Sequence, residues 1–250
     1  MNVKTLLFDL DDTLLGNDMD IFLPRYFDLL GEYGRPLFGD SENLLRELLR
    51  GTQAMIRNED RSLSNREVFW RVFAERTGLD QSEAEAYFNR FYDEQFPSLQ
   101  EVTELRPWAA RTVRRALSEG YQVVVATNPL FPLRAIEHRL AWAGLPVEEH
   151  DFALVTSYEN MHATKPNPAY YEEILEQVGA EPESTLMAGD DWKNDVLPAA
   201  SLGMHVYWIT AGDAEPPEPG VVAGAGTLEQ FYTWFFGEPE QGTDRASADD

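Results

Sequence analysis

The feature that most constrains this chain is a short apolar run near its N-terminus that ends in a cluster of carboxylates. Residues 3 to 8 are mostly apolar, and Asp9, Asp11, Asp12 and Thr13 follow almost at once. A short apolar run bounded by polar residues fits a buried strand of a parallel sheet better than a helix. Ligands of open α/β sheets bind beyond the carboxyl ends of the strands. We therefore expect Asp9 and Asp11 to lie at a functional site.

The second half of the chain alternates between strand-like and helix-like segments. Repeated strand–helix units favour a doubly wound parallel sheet, so we predict an α/β fold with a Rossmann-like core. The predicted strands are 121 to 127, 152 to 155, 185 to 189 and 204 to 209, and the predicted helices are 107 to 119, 131 to 143, 168 to 178, 194 to 202 and 227 to 236. Residues 211 to 226, rich in Pro, Gly and Ala, are predicted to form a loop.

Residues 19 to 96 have helical periodicity without a convincing strand. Asp40 can cap a second helix, Ser64 and Glu67 form a capping-box pattern, and Gly78 is placed to end the third helix. The aromatic residues of this region are expected to pack the helices together: Trp70, Phe73, Tyr87 and Phe91. We predict a small helical cap domain over residues 17 to 100, a core domain over 1 to 16 and 101 to 237, and a polar tail over 238 to 250.

Composition limits the partners of the chain. The net charge is −24, from 44 acidic and 20 basic residues, which should repel nucleic acids and anionic membranes. There is no cysteine, and four scattered histidines form no zinc-binding pattern. No segment approaches the run of about 18 apolar residues that spans a membrane. We expect a cytoplasmic protein, a monomer or homodimer, that binds neither nucleic acid nor membrane.

Polar residues also follow the later predicted strands. Thr127 and Asn128 follow the second strand, Lys165 follows the third after a loop, and Asp190 comes directly after Gly189 at the end of the fourth. With the first cluster, this series resembles, in order, the four motifs of the haloacid dehalogenase-like (HAD) hydrolase superfamily. The resemblance covers the alternating core, and a helical insert between the first and second motifs is similar to one cap type of that family.

The resemblance implies a catalytic role for three of these residues. In such enzymes a carboxylate attacks phosphorus to form an acyl phosphate, a role that falls to Asp9. Asp11 takes the position of the family's acid/base, and Lys165 neutralises charge on the nucleophile and the phosphoryl group. The site would bind Mg²⁺ through Asp9, Asp190 and the backbone carbonyl of Asp11, since oxygen ligands suit this ion.

The remaining motif residues have supporting roles in this resemblance. Thr127 and Asn128 would hold the phosphoryl oxygens. Thr13 would help to fix the loop after the first strand, and Asp195 would orient Lys165 or a metal-bound water. Asp191 stands beside Asp190, but the family pattern places the metal ligand directly after the glycine.

The presence of Asp11 also indicates which reaction of the family to expect. Carbon–halogen cleavage needs no acid at that position, so an aspartate there argues against a dehalogenase. The resemblance therefore favours a Mg²⁺-dependent phosphatase that acts on a small phosphorylated metabolite. A phosphomutase of the same fold and a non-catalytic binding protein remain alternatives. The polar stretch from Arg57 to Arg61 could close over the site, although such charged stretches are usually solvated surfaces.

Overall fold

The computed structural model describes residues 1–212 and 214–238 and contains a six-stranded parallel sheet surrounded by helices. The sheet has the strand order β5-β4-β1-β6-β7-β8, and a second, antiparallel sheet pairs β2 with β3. The strands are β1 Thr5–Phe8, β2 Leu15–Gly16, β3 Glu104–Leu105, β4 Gln122–Val125, β5 Leu154–Val155, β6 Thr185–Gly189, β7 His205–Ile209 and β8 Gly224–Gly226. The predicted doubly wound α/β fold is confirmed.

Nine α-helices occur among the described residues. They are α1 Met19–Phe38, α2 Ser41–Ile56, α3 Asn65–Thr77, α4 Gln81–Glu94, α5 Pro107–Ser118, α6 Leu133–Trp142, α7 Pro168–Val178, α8 Leu197–Ser201 and α9 Leu228–Phe236. Three short 3₁₀ segments (Phe96–Val102, Val147–Glu149 and Pro182–Ser184) and one π-helical turn (Trp192–Val196) complete the described elements. Within these residues, no helix combines the length and apolarity needed to cross a bilayer.

The central strand β1 shows why the sheet is wound on both faces. Leu6 and Phe8 pack into one apolar cluster with α5, α6 and α9, whereas Leu7 packs into a second cluster with α7 and α8. Successive side chains of a strand point to opposite faces, so an uninterrupted apolar strand needs helices on both sides. The continuous apolar run near the N-terminus thus becomes the centre of the core.

The strand register places the ends of three neighbouring strands at one level. Phe8 pairs with Val125 of β4 on one side and with Ala188 of β6 on the other. The residues that follow these positions therefore emerge together at the carboxyl edge of the sheet. This edge carries the first, second and fourth sequence motifs.

The helices α1 to α4 form an insert between β2 and β3. Asp40 and Ser64 cap α2 and α3 as predicted, Ser64 in a reciprocal capping box with Glu67, and Gly78 ends α3 in the left-handed conformation at φ 70°. The predicted aromatic packing is present, since Trp70, Phe73 and Phe91 are buried and Tyr87 is partly buried. The division into core and cap domains stays a prediction, and residues 239 to 250 of the predicted tail lie outside the described residues.

The insert contacts the core segment that precedes Lys165. The backbone N–H groups of Asn65 and Arg66 donate to the carbonyls of Met161 and Tyr158, at 2.8 and 2.7 Å. In the preceding loop, the Asn58 amide donates to a carbonyl of the same core segment at 3.2 Å. The polar stretch that includes Asn58 therefore lies against the core, beside the loop that carries the motif lysine.

Candidate active site

A pocket of about 270 Å³ opens at the carboxyl edge of the sheet. Seven of the eight residues singled out in the sequence line it: Asp9, Asp11, Thr127, Asn128, Lys165, Asp190 and Asp195. The eighth, Thr13, is buried beside it and donates a hydrogen bond to the Asp190 carboxylate at 3.3 Å. The fold thus brings together residues that are up to 186 positions apart in the sequence, Asp9 and Asp195 being the extremes.

Lys165 links two carboxylates at the base of the pocket. Its Nζ donates to Asp9 at 2.6 Å and to Asp195 at 2.5 Å, and its side chain is 2% exposed. Burial alone would lower the pKa of Lys165, but Asp195 and Asp9 raise it well above its usual value. The lysine therefore remains charged and compensates the two buried carboxylates.

The Asp9 carboxylate lies in a buried position where a negative charge is unfavourable. Burial raises its pKa well above the usual range; Lys165 lowers it, and the nearby carboxylates of Asp195, Asp190 and Asp11 raise it further. Two like unit charges about 4 Å apart repel by about 4 kcal/mol at an effective dielectric constant of about 20. The site is therefore short of positive charge unless a further cation binds.

Carboxylate oxygens of Asp9, Asp190 and Asp195 lie within 4.8 Å of one another. Burial raises the pKa of Asp190 to about 7, and the charges of Asp195 and Asp12 add to the increase. Both carboxylate oxygens of Asp195 already accept hydrogen bonds, one from Lys165 and the other from the backbone N–H of Asp191 at 3.1 Å. This arrangement of hard oxygen donors fits a divalent cation held by Asp9 and Asp190.

The adjacent aspartates at the end of β6 have different partners. One oxygen of Asp191 accepts hydrogen bonds from the backbone N–H groups of Lys193 and Asn194, at 2.8 and 3.0 Å, and thereby caps the π-helical turn. Asp190 instead places its carboxylate beside Thr13, while its backbone carbonyl accepts from the Trp208 indole at 2.7 Å. Asp190 is therefore the better placed of the two for metal binding.

The segment after β4 has a buried backbone and a free side-chain acceptor. The carbonyl of Thr127 accepts from the hydroxyls of Thr156 and Tyr170, both at 2.8 Å. The Oδ1 atom of Asn128 is buried and has no hydrogen-bond partner among the described residues. These contacts hold the backbone of the segment in place at the pocket wall.

Arg139 of α6 also lines the pocket, although it was not predicted as a site residue. This arginine is buried and pairs with the Asp11 carboxylate at 2.5 Å. A signal was present in the sequence, because Arg139 lies at helical spacing on the face of Ala135, Ile136 and Leu140, all of which are buried. A charged residue on an apolar helix face indicates a buried partner.

Gly189 is required by the close approach of Asp195. A Cβ atom at this position would lie 2.6 Å from Cγ and 2.8 Å from Cβ of Asp195.

We expect Gly189→Ala to displace Asp195 from Lys165 and to reduce the free energy of unfolding by about 1–3 kcal/mol, the usual cost of overpacking. Urea unfolding measures this loss. In Gly220→Ala, where a Cβ meets nothing within 4 Å, the free energy should change by less than about 0.5 kcal/mol. Equal stability of the two variants would contradict the prediction.

The chain is similar to known proteins over most of its length. The family model described as haloacid dehalogenase-like hydrolase matches residues 3–203. A phosphoglycolate phosphatase of Haemophilus influenzae is 29% identical over 214 residues, covering 84% of this chain and 86% of the relative. A glyceraldehyde 3-phosphate phosphatase of Pyrococcus furiosus is 25% identical over 220 residues, covering 84% of this chain and 82% of the relative.

Solved structures share the fold. A HAD phosphatase from Thermococcus onnurineus superposes with a TM-score of 0.58 at 22% identity, covering 94% of this chain and 99% of that chain. The predicted family and its hydrolytic class are confirmed, and the phosphatase names of the relatives agree with the predicted type. Because the family model spans most of the chain, from the first strand to beyond the last motif, this protein belongs to the haloacid dehalogenase-like hydrolases.

Proposed function

We propose that this enzyme is a Mg²⁺-dependent phosphatase that hydrolyses a small phosphomonoester through an aspartyl-phosphate on Asp9. The observation that carries the proposal is the buried group of Asp9, Lys165 and Asp190 at one sheet edge. The phosphatase names of the similar proteins support the reaction class. The cytoplasmic location and the monomeric or homodimeric state stay predictions from the sequence.

Asp9 would attack the phosphorus atom and carry the phosphoryl group until water releases it. Asp11 would protonate the leaving oxygen and later accept a proton from that water. Lys165, Thr127 and Asn128 would hold the phosphoryl oxygens and balance their charge. Asp195 keeps Lys165 in place through the 2.5 Å contact.

The metal would be held by the carboxylates of Asp9 and Asp190 and by the backbone carbonyl of Asp11, with Thr13 orienting Asp190. A bound Mg²⁺ supplies Lewis-acid charge stabilisation for the phosphoryl group. The protein's own contribution is to place three carboxylates and one lysine so that a single divalent cation completes the charge balance. This supports the predicted cofactor.

Chelation tests the metal requirement. We expect p-nitrophenyl phosphate turnover to stop in EDTA and to return when excess Mg²⁺ is added. In Asp190→Asn, the Mg²⁺ concentration for half-maximal activity should rise at least about 10-fold, a loss typical of disturbed metal sites.

Asp191→Asn is the matched control, because an asparagine oxygen can still cap the π-helical turn. Its Mg²⁺ dependence should equal that of the unmodified enzyme. Turnover that persists in EDTA would contradict the metal role. A wild-type enzyme that hydrolyses no phosphate ester would instead refute the phosphatase proposal as a whole.

A further inference from the structure

Arg139 is a buried charge that lines the catalytic pocket. Its side chain is 1% exposed, and its guanidinium lies 4.8 Å from the centre of the Phe131 ring. Buried arginines need a partner, and the carboxylate that Arg139 contacts is that of Asp11. Its Nη2 atom is buried and has no hydrogen-bond partner within the described part of the chain.

The Asp11 carboxylate is held at both oxygens. Oδ2 accepts from Nη1 of Arg139 at 2.5 Å, and Oδ1 accepts from Nδ2 of Asn17 at 2.7 Å. Arg139 belongs to helix α6 of the sheet domain, whereas Asn17 is a buried residue in the connection to the helical insert. Two anchors on different segments fix both the position and the plane of this carboxylate.

We propose that Arg139 is a positioning residue that holds the carboxylate of Asp11 in place for proton transfer. The proposal rests on the phosphatase mechanism above and adds to it a residue on α6 that acts through Asp11. Proton transfer depends on a correctly placed group, and a misplacement of about 1 Å can cost about 10²-fold in rate.

Stability alone does not account for this arginine. Replacement of buried ion pairs by well-packed apolar residues is often neutral or stabilising, so the helix face of Ile136 and Leu140 would accept an apolar residue at position 139. The arginine also leaves Nη2 unpaired, which is costly in a buried position. A contribution to the orientation of Asp11 explains why a charge is found there.

Steady-state kinetics of Arg139→Met with a series of phosphate esters test the proposal. We expect kcat to fall by about 10²-fold for alkyl phosphates and by less for aryl phosphates, whose leaving oxygens need less protonation, while KM is unchanged. Arg139→Lys keeps a cation without the planar guanidinium and should recover part of the loss. Arg134→Met on the same helix is the matched control, because Arg134 is an exposed residue paired with Asp93; its kinetics should equal those of the unmodified enzyme.

A double variant shows whether Arg139 acts through Asp11. Asp11→Asn alone should lose the acid–base contribution, typically about 10²–10⁴-fold, again with the largest loss for alkyl phosphates. Adding Arg139→Met to it should cause no further loss in kcat. If the two losses multiply, or if Arg139→Met raises KM at constant kcat, Arg139 acts independently or binds the substrate, and the proposal is wrong.

Thermal unfolding separates a folding defect from a positioning defect. Asp11→Asn leaves the guanidinium of Arg139 buried without a carboxylate, so Tm should fall by roughly 10 °C, and by much less when Arg139→Met is also present. If Asp11→Asn lowers Tm by the same amount in the wild-type enzyme and in Arg139→Met, the proposed pairing of Arg139 with Asp11 is wrong. An inactive wild-type enzyme would refute the phosphatase proposal together with this one, whereas an active enzyme with unaltered Arg139→Met kinetics would refute only the positioning role.

Discussion

The Asp9→Asn enzyme is expected to fold and to lose turnover by about 10⁴-fold or more, the scale seen when the nucleophile of a covalent hydrolase is removed. An amide oxygen is too weak a nucleophile to form the acyl phosphate. The substitution removes one of several crowded carboxylates, and Lys165 keeps its contact with Asp195. The fold should therefore persist, which thermal unfolding checks alongside the kinetics of p-nitrophenyl phosphate hydrolysis.

Asp18→Asn is the matched control for this experiment. Asp18 is an exposed residue that caps α1, and asparagine is an equally good cap. Its kcat should equal that of the unmodified enzyme. Phosphorylated peptide containing Asp9 should be trapped by acid quench from the wild-type enzyme but not from Asp9→Asn. Retention of more than a few per cent of kcat in Asp9→Asn would refute the nucleophile assignment.

The Lys165→Met variant should lose both stability and activity. Methionine fills a similar volume, but it leaves the buried carboxylates of Asp9 and Asp195 without their lysine partner. Breaking a buried ion pair in this way costs about 3–5 kcal/mol of unfolding free energy. Separately, loss of a preorganised positive charge at the phosphoryl group should lower kcat by a factor of about 10²–10³. Urea unfolding and steady-state kinetics measure the two effects.

The stability loss in Lys165→Met should depend on pH. Lys165 lowers the pKa of Asp9, so its removal raises that pKa further. A carboxyl whose pKa is higher in the folded than in the unfolded state binds a proton on folding, and stability then falls as pH rises. We expect the variant to be less destabilised near pH 5 than near pH 8. Lys193→Met replaces an exposed lysine and is the control, and its free energy of unfolding should equal that of the unmodified enzyme at both pH values. A loss of unfolding free energy in Lys165→Met that is the same at both pH values would contradict this account.

The sheet was predictable because its strands are marked by local patterns. The buried run of β1 and the apolar segments of β4, β6 and β7 each stand between polar or glycine-containing turns. The helix ends were also predictable from local sequence patterns, as the capping box at Ser64 shows. Backbone hydrogen-bonding needs at a helix end are met by residues within three positions, so the sequence reveals them.

The errors concern elements whose stability comes from distant contacts. The predicted loop over 211 to 226 ends in the strand β8, a Gly-Ala-Gly segment without any apolar alternation. It forms because it pairs with β7, and it thereby becomes the edge strand of the sheet. A Cβ on Gly224 would lie 2.7 Å from a ring atom of Tyr207. The antiparallel pair of β2 and β3 was missed for the same reason, since its partners are about 90 residues apart.

The sequence by itself determined the order of the polar motifs and their positions at strand ends, because strand polarity and side-chain alternation are local properties. The tertiary structure decided which charges meet. It placed Lys165 between Asp9 and Asp195, and it brought Arg139 to Asp11. These partners are between 30 and 156 positions apart, so no local pattern links them. They meet because parallel strands deliver their carboxyl ends to one edge and because burial makes an unpaired charge too costly to keep.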